Sequence, residues 1–258
     1  MEEQVERLVK KVWDKFQDVP ASQRYLVAVA GIPGSGKTTL ASTISTRLNA
    51  LHTTHSPATS NSSPLSTFIP MDGFHLTRTQ LSALPDPSTA FARRGAPFTF
   101  NGPSFLSLVQ SLRSPILPET STLYAPSFSH AIKDPVENDI AILPSVRIVV
   151  FEGNYCALNK APWSEAAALM DEMWFVEVDF EVARCRLVQR HVKAGIARDE
   201  EEAGKRADEN DLVNGREIVE NRVPVCEVVR SVEDGAWAPE RQGVRDEREE
   251  RYKERYMD

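Results

Sequence analysis

Short apolar runs alternate with segments of helical periodicity along most of the chain. The first segment, Glu2–Phe16, has apolar residues at the i, i+3 and i+4 spacing that predicts an amphipathic helix packed against a core. Runs rich in β-branched and aromatic residues predict buried strands at residues 25–30, 68–71, 148–151, 174–178 and 225–229. Helices are predicted at residues 40–48, 105–112 and 180–205. Strands that alternate with helices favour an α/β fold, with a parallel sheet flanked by helices.

Four polar segments interrupt this pattern. Residues 52–67 are rich in Ser, Thr and Pro, which predicts a flexible inserted loop. Residues 124–136 predict an ordered loop, and residues 210–221 are polar and turn-forming. Arg and Glu dominate residues 231–258, which predicts a charged C-terminal tail. We therefore expect a single domain over residues 1–230.

The first predicted strand runs directly into GIPGSGKTT, a stretch that fits the pattern G-x-x-x-x-G-K-[ST] of a phosphate-binding P-loop. The glycines allow successive backbone N–H groups to point into one hollow, and the following helix adds its positive N-terminal end. We expect Lys37 to lie along the β- and γ-phosphates and the Thr38 hydroxyl to ligate Mg²⁺. The predicted nucleotide-binding residues are Gly31, Ile32, Pro33, Gly34, Ser35, Gly36, Lys37, Thr38 and Thr39. The motif and its two flanks predict a P-loop NTPase fold.

Two acids follow predicted strands at the edge where open α/β sheets bind ligands. Asp72 comes directly after the second strand, where it could accept the proton of an alcohol that attacks a γ-phosphoryl group. The alternative is that it only caps a turn before Gly73, since Asp-Gly is also a common turn pair. Glu152 ends the strand at residues 148–151, which is the place of a Walker B acid that holds Mg²⁺ directly or through water.

Arginines provide candidate anion-binding groups in an otherwise acidic chain. Arg93 and Arg94 are adjacent and could receive an anionic substrate, although a surface salt-bridge role explains them as well. Arg186 and Arg190 are four residues apart and share one helix face. On a helical lid over residues 180–206 they could stabilise charge in phosphoryl transfer, or they could form surface Arg–Glu pairs instead.

The predicted loop at residues 124–136 contains His130 and, four residues later, Asp134. The histidine could hydrogen-bond a substrate and the acid could orient it. An ordinary core or turn histidine is the simpler alternative, and the sequence leaves both open.

Composition narrows the class of protein. The 258 residues suffice for one large domain, and a net charge of -7 with a pI near 5.4 argues against a broad nucleic-acid surface. Three cysteines without metal-binding spacing fit ordinary thiols in a reducing compartment. No apolar run approaches the roughly 20 residues of a membrane span, and the N-terminus has no targeting signature. We expect a cytoplasmic protein that binds neither nucleic acid nor membrane, as a monomer or a homodimer.

Several motifs in the right order resemble the phosphoribulokinase/uridine kinase family of P-loop kinases, and most closely its pantothenate kinase-like, largely uncharacterised branch. They are GIPGSGKTT, MDGFHL, RRGAPFTF, SFSHAIKDPV, VVFEGNY and the block WFVEVDFEVARCRLVQRHVKAGIA. The resemblance spans about residues 25–229. It implies a nucleoside kinase-like parallel sheet with a helical lid, ATP and Mg²⁺ as cofactors, and phosphoryl transfer to a hydroxyl of a small metabolite.

Roles follow from the resemblance, position by position. It implies Asp72 as catalytic base, Lys37 as the phosphate-binding lysine, Thr38 and Glu152 as metal-side residues, and Arg186 and Arg190 as lid arginines. His130 falls in the family's acceptor-binding segment, and the predicted substrate-binding residues are Asp72, His75, Arg93, Arg94, His130 and Tyr155. The acceptor segment differs from the uridine kinase pattern and matches that of pantothenate kinase only in part, so a nucleoside, a pantothenate-like acid and a sugar derivative all stay open.

Two other functions compete with a kinase. A P-loop GTPase or ATP-driven switch would need an NKxD motif, and residues 159–162 read NKAP, without the acid. A nucleotide-binding regulator without catalysis is the second alternative, although the presence of Lys37, Thr38, Asp72 and Glu152 together disfavours it.

Overall fold

The computed structural model describes residues 1–55, 63–129 and 131–232. The strands are β1 (Tyr25–Gly31), β2 (Ser66–Pro70), β3 (Leu123–Ser129), β4 (Asp134–Ile142), β5 (Ile148–Gly153), β6 (Glu172–Glu177) and β7 (Glu227–Arg230). The α-helices are α1 (Glu2–Phe16), α2 (Lys37–His55), α3 (Arg78–Ser82), α4 (Pro87–Ala92), α5 (Gly102–Arg113), α6 (Trp163–Ala167), α7 (Phe180–Lys193), α8 (Glu200–Arg206) and α9 (Leu212–Glu220).

The central sheet has five parallel strands in the order β2-β5-β1-β6-β7. Strand β1 lies in the middle and is buried over its whole length, as its apolar sequence predicts. The chain passes from β5 on one side of β1 to β6 on the other, so the strand order reverses there. A ligand crevice forms at the carboxyl ends of the strands next to such a reversal.

Each face of the sheet is covered by its own apolar cluster. Helices α1 and α2 cover one face, with Leu8, Ile44 and Trp174 fully buried among them. The other face packs against α5, α6 and α9 and against the antiparallel pair β3–β4, around Phe105 and Phe151. The predicted α/β architecture, with helices on both faces of a parallel sheet, is confirmed.

Several predictions about polar segments are wrong. Helix α2 runs to His55, and β2 begins at Ser66, so the expected loop at residues 52–67 begins as helix and ends as strand. The segment at residues 124–136 is not a loop, because residues 123–129 pair with residues 134–142 as antiparallel strands. Residues 210–221 are not turns: they complete a π-helix (Ala207–Asp211) and form α9. Local composition is a weak predictor here, because pairing with a distant strand or continuation of a neighbouring helix overrides it.

The helix predicted at residues 105–112 begins earlier, at Gly102, where the Asn101 side chain caps it by accepting from the Ser104 N–H. The predicted lid is two helices, α7 and α8, separated by residues 194–199. His130, the middle of the predicted insertion (residues 56–62) and most of the predicted tail (residues 233–258) lie outside the described residues. Within the described ranges, no helix is long and apolar enough to cross a membrane.

Candidate functional site

The glycine-rich loop between β1 and α2 has the conformation that its sequence predicts. Gly34 and Gly36 have φ of 80° and 87°, a left-handed region that favours glycine. A Cβ at Gly34 would lie 2.7 Å from the carbonyl oxygen of Ala183 in α7, so the loop also needs glycine for close packing. Helix α2 begins at Lys37, with its first amides toward the loop. The arrangement suits a bound phosphate chain.

Strand register brings three functional groups to one place. Glu152 on β5 is opposite Val29 of β1 and Pro70 of β2. The phosphate loop begins two residues after Val29, and Asp72 stands two residues after Pro70. The Asp72 carboxylate consequently acts electrostatically on both Lys37 and Glu152. The parallel sheet therefore assembles loop, lysine and two acids at one edge.

Lys37 and Glu152 form a buried pair. The Lys37 Nζ lies 3.8 Å from a Glu152 carboxylate oxygen and 3.3 Å from the Ile32 carbonyl oxygen, to which it donates. Burial lowers the pKa of Lys37, against the opposing effects of Glu152 and Asp72. Burial also raises the pKa of Glu152 to about 7, and Lys37 only partly offsets it. Both groups are desolvated, and a charged ligand next to them would stabilise their charged forms.

The Thr38 hydroxyl and the Glu152 carboxylate are hydrogen-bonded to each other. Thr38 is exposed and Glu152 is buried, so the pair spans from the core to the crevice. In the described part of the chain, no group of three or more His, Cys, Asp or Glu side chains could hold a metal. Two oxygen donors fit Mg²⁺, which keeps several waters and completes its shell with phosphate oxygens.

Asp72 lies on a 3₁₀ turn (Met71–Phe74) directly after β2, with 55% of its side chain exposed. His75 is hydrogen-bonded through Nδ1 to the Asp72 carbonyl oxygen at 2.8 Å. The His75 ring stacks between Phe100 and Phe128, at centroid distances of 3.9 and 5.0 Å. Asp72 is therefore open to a ligand, whereas His75 is fixed in an aromatic wall beside it.

The adjacent arginines have different partners. Arg94 makes an ion pair with Asp134 at 3.2 Å, donates to the Leu76 carbonyl oxygen and lies over the Phe128 ring. Asp134 thus braces Arg94 rather than orienting a histidine among the described residues. Arg93 instead donates to the side-chain oxygens of Asn210, at 3.0 Å, and Asn214, at 2.8 Å.

Tyr155 is fully buried, and its hydroxyl donates to the Gly95 carbonyl oxygen at 2.5 Å. Burial raises the pKa of Tyr155, and Glu217 raises it further. Gly95 has φ of 105°, so the loop after Arg94 bends sharply at this point. The tyrosine supports the loop that carries the arginine pair.

The arginines of α7 lie on the donor side of the crevice. Arg186 donates to the Gly34 carbonyl oxygen at 3.2 Å and to the Ser231 hydroxyl at 2.8 Å. Arg190 is exposed, and its charge acts electrostatically on both Lys37 and Glu152. The structure thus brings Arg186 to the phosphate loop itself and leaves Arg190 open to solvent next to it.

The sequence analysis missed the π-helix and two buried asparagines, one in the π-helix and one in α9. Asn210 and Asn214 are 4% and 1% exposed, and the neighbouring Asp211 accepts a hydrogen bond from His191 of α7 at 2.8 Å. One segment thereby connects the lid helix to the arginine loop. The available signal was the four-residue spacing of the two asparagines, which places them on one helix face.

Comparison with known proteins identifies relatives but no family model. No protein-family model matches the chain. The chain is 56% identical over 159 residues to the ATP-dependent kinase-like protein notR' of Aspergillus versicolor, an alignment that covers 62% of this chain and 92% of that protein. It is 42% identical over 201 residues to C227.14 of Schizosaccharomyces pombe, a candidate uridine kinase by name, with 78% and 80% covered.

Among solved structures, the chain is similar to a protein of Silicibacter sp. TM1040 described as a candidate fructose transport system kinase. The TM-score is 0.72 at 29% identity, with 87% of this chain and 98% of that chain covered. The fold, the P-loop site and the two relatives all indicate the same family of P-loop proteins. The chain belongs to the family of ATP-dependent, uridine kinase-like P-loop proteins that includes notR' and C227.14.

Proposed function

We propose that the protein is a Mg²⁺- and ATP-dependent kinase that phosphorylates a hydroxyl group of a small metabolite. The observation that carries this proposal is the convergence of Lys37, Glu152 and the exposed Asp72 at one sheet edge. A nucleotide switch needs the lysine and the metal-side acid, but it has no use for a second, exposed carboxylate beside the phosphate loop. A transferase needs that carboxylate for its acceptor.

Each residue has a defined part in the proposed reaction. The amides of the glycine-rich loop and the Lys37 ammonium bind the phosphate chain and offset its charge. Thr38 and Glu152 would hold Mg²⁺, which supplies charge neutralisation between the β- and γ-phosphates when bound. Asp72 orients the acceptor hydroxyl and takes its proton. Arg186 and Arg190 on α7 stabilise negative charge from the lid side.

The acceptor stays undefined within the class of small hydroxylated metabolites. The printed names of the relatives point to different acceptors, uridine for C227.14 and fructose for the Silicibacter protein. A pantothenate-like acid, a nucleoside and a sugar derivative remain candidates for this chain. His75, Arg93, Arg94, Tyr155 and His130 are the proposed acceptor-side residues, with Tyr155 acting through the loop that it supports. A cytoplasmic location also remains a prediction.

An ATP-consumption screen over a metabolite panel tests the proposal. The wild type should consume ATP with at least one hydroxylated acceptor and yield one phosphorylated product per ATP. Lys37→Ala should abolish turnover, because the phosphate chain loses its buried cation. Tight ATP binding without any acceptor-dependent turnover would instead favour a nucleotide-binding regulator.

A further inference from the structure

Arg93 and Arg94 differ in how their charge is balanced. Arg94 faces the carboxylate of Asp134. Arg93 is half-buried, and its contacts are the amide oxygens of Asn210 and Asn214. Over the described ranges, no carboxylate lies within ion-pair distance of Arg93. An amide oxygen accepts a hydrogen bond without cancelling charge, so the guanidinium keeps its full positive charge in a partly desolvated place.

The asparagines that hold Arg93 are built into the fold. Both are buried and lie on one face of the continuous π-helix and α9. Asn210 also donates to the Arg94 carbonyl oxygen at 3.0 Å, so it fixes the arginine loop at two points. A π-helical turn is rare and often marks a functional site. Here it allows Asn210 to face the arginine loop while Asp211 faces His191.

The same segment places Arg93 close to the transfer site. Gly215, which follows Asn214, packs on the phosphate loop so closely that a Cβ there would lie 3.3 Å from the Ile32 side chain. The charges of Arg93 and Asp72 both act on Tyr155. Arg93 therefore lies near the same tyrosine as the proposed base Asp72, and it contacts Asn214, whose neighbour Gly215 packs on the phosphate loop.

We propose that Arg93 is an oxyanion-binding residue of the transfer site and that Asn210 and Asn214 are its positioning residues. The inference rests on the proposed kinase function and deepens it. Amide partners hold the guanidinium in place and leave its charge for a phosphate or carboxylate group of a ligand, whereas a carboxylate partner would cancel it. Arg94, paired with Asp134, braces the loop.

Two sources could supply the oxyanion: the γ-phosphoryl group of ATP, or an anionic group on the acceptor. Calorimetric titration separates them. In the first arm, Arg93→Gln is compared with wild type for binding of ATP and of ADP. If the γ-phosphoryl group is the ligand, the variant loses roughly 10- to 100-fold in ATP affinity and keeps its ADP affinity.

In the second arm, inorganic phosphate is titrated into protein saturated with a non-hydrolysable ATP analogue, so that the γ-phosphate position is filled. If an anionic group of the acceptor is the ligand, wild type binds phosphate and Arg93→Gln binds it at least about 10-fold more weakly. Arg113→Gln is the matched control. Arg113 is also half-buried and donates to main-chain carbonyls, but it lies beside Asp171, away from the crevice.

Asn214→Asp tests the positioning role without removing the contact. The carboxylate can still accept from Arg93, so a purely structural contact would be kept and the melting temperature would hold or rise. If Arg93 binds an oxyanion, the new carboxylate neutralises the Arg93 charge. The affinity that Arg93→Gln weakens, whether for ATP or for phosphate, should then also fall about 10-fold. Unchanged affinities for ATP and phosphate in both variants would overturn the inference. Failure of wild type to bind ATP at all would refute the proposed function instead.

Discussion

Asp72 combines an exposed carboxylate with a rigidly held backbone. Its carbonyl oxygen accepts from His75, and the His75 ring is stacked between two phenylalanines, so the turn that carries the acid cannot shift freely. The side chain itself is more than half exposed. This is the combination that the proposed general base requires: an exposed functional group on a fixed support.

We expect Asp72→Asn to lower kcat by about 10²- to 10⁴-fold, because the amide cannot accept the hydroxyl proton. The KM for ATP should stay within about threefold, since the phosphate loop is unchanged. Steady-state kinetics with an acceptor found in the screen measure both constants. Asp18→Asn, at an exposed position after α1, is the control. A kcat within a few fold of wild type would refute the base assignment.

At the scale of elements, the antiparallel pair β3–β4 lies directly on the turn that carries Asp72. A Cβ at Gly73 would lie 2.1 Å from the Pro126 carbonyl oxygen of β3, a distance that no side chain can occupy. Glycine at this position lets β3 press against the 3₁₀ turn. The pair β3–β4 therefore sets the position of Asp72, the proposed catalytic base, relative to the phosphate loop.

Gly73→Ala should push β3 and the turn apart and displace Asp72. Because a shift of about 1 Å in a catalytic group can cost up to about 10²-fold, we expect kcat to fall roughly 10- to 100-fold. ATP affinity should stay near wild type, since the phosphate loop follows β1, which β5 separates from β2. Calorimetry for ATP and single-turnover kinetics separate the two effects. An equal loss of ATP affinity would show that the substitution disrupts the whole crevice.

At the scale of the whole molecule, a buried acid joins α1 to strands β6 and β7 at one edge of the sheet. Glu172 on β6 is 1% exposed and, among the described residues, accepts from five side chains: Lys11 at 2.8 Å, Lys15 at 2.6 Å, Tyr25 at 3.4 Å, Trp174 at 2.9 Å and Cys226 at 2.8 Å. Burial alone would raise the pKa of Glu172, but these hydrogen bonds, led by that from Cys226, lower it to about 2. The contact holds α1 against β6 and β7.

Glu172→Gln should lower the free energy of unfolding by roughly 2 to 4 kcal/mol at pH 7, because it leaves two lysines without their buried partner. The folded-state pKa lies below the ordinary value of 4.5, so this stabilisation is complete above about pH 4.5 and is lost as the pH falls toward 2. Urea unfolding at pH 7 and at about pH 3 should show the difference shrink. The exposed Glu3→Gln is the control, and a difference independent of pH would contradict the account.

Motif and periodicity alone determined the donor half of the site and the sheet that carries it. GIPGSGKTT needs glycines at Gly34 and Gly36 for backbone reasons that are local, and the strand before it is apolar because both of its faces are buried. The order of strands and acids then follows from the general behaviour of parallel sheets. These features depend on residues close together in the chain, so the sequence predicts them.

Tertiary structure alone decided the surroundings of the proposed acceptor-side residues. Residues 123–142 form paired strands because each strand supplies the other's hydrogen bonds, which no local pattern records. Arg93 and Arg94 are identical neighbours in the sequence, but one meets Asp134 at a separation of 40 residues and the other meets Asn210 and Asn214 more than 100 residues away. Whether an arginine keeps or loses its charge for a ligand depends on those distant partners. The chemistry of this half of the site is therefore a property of the fold.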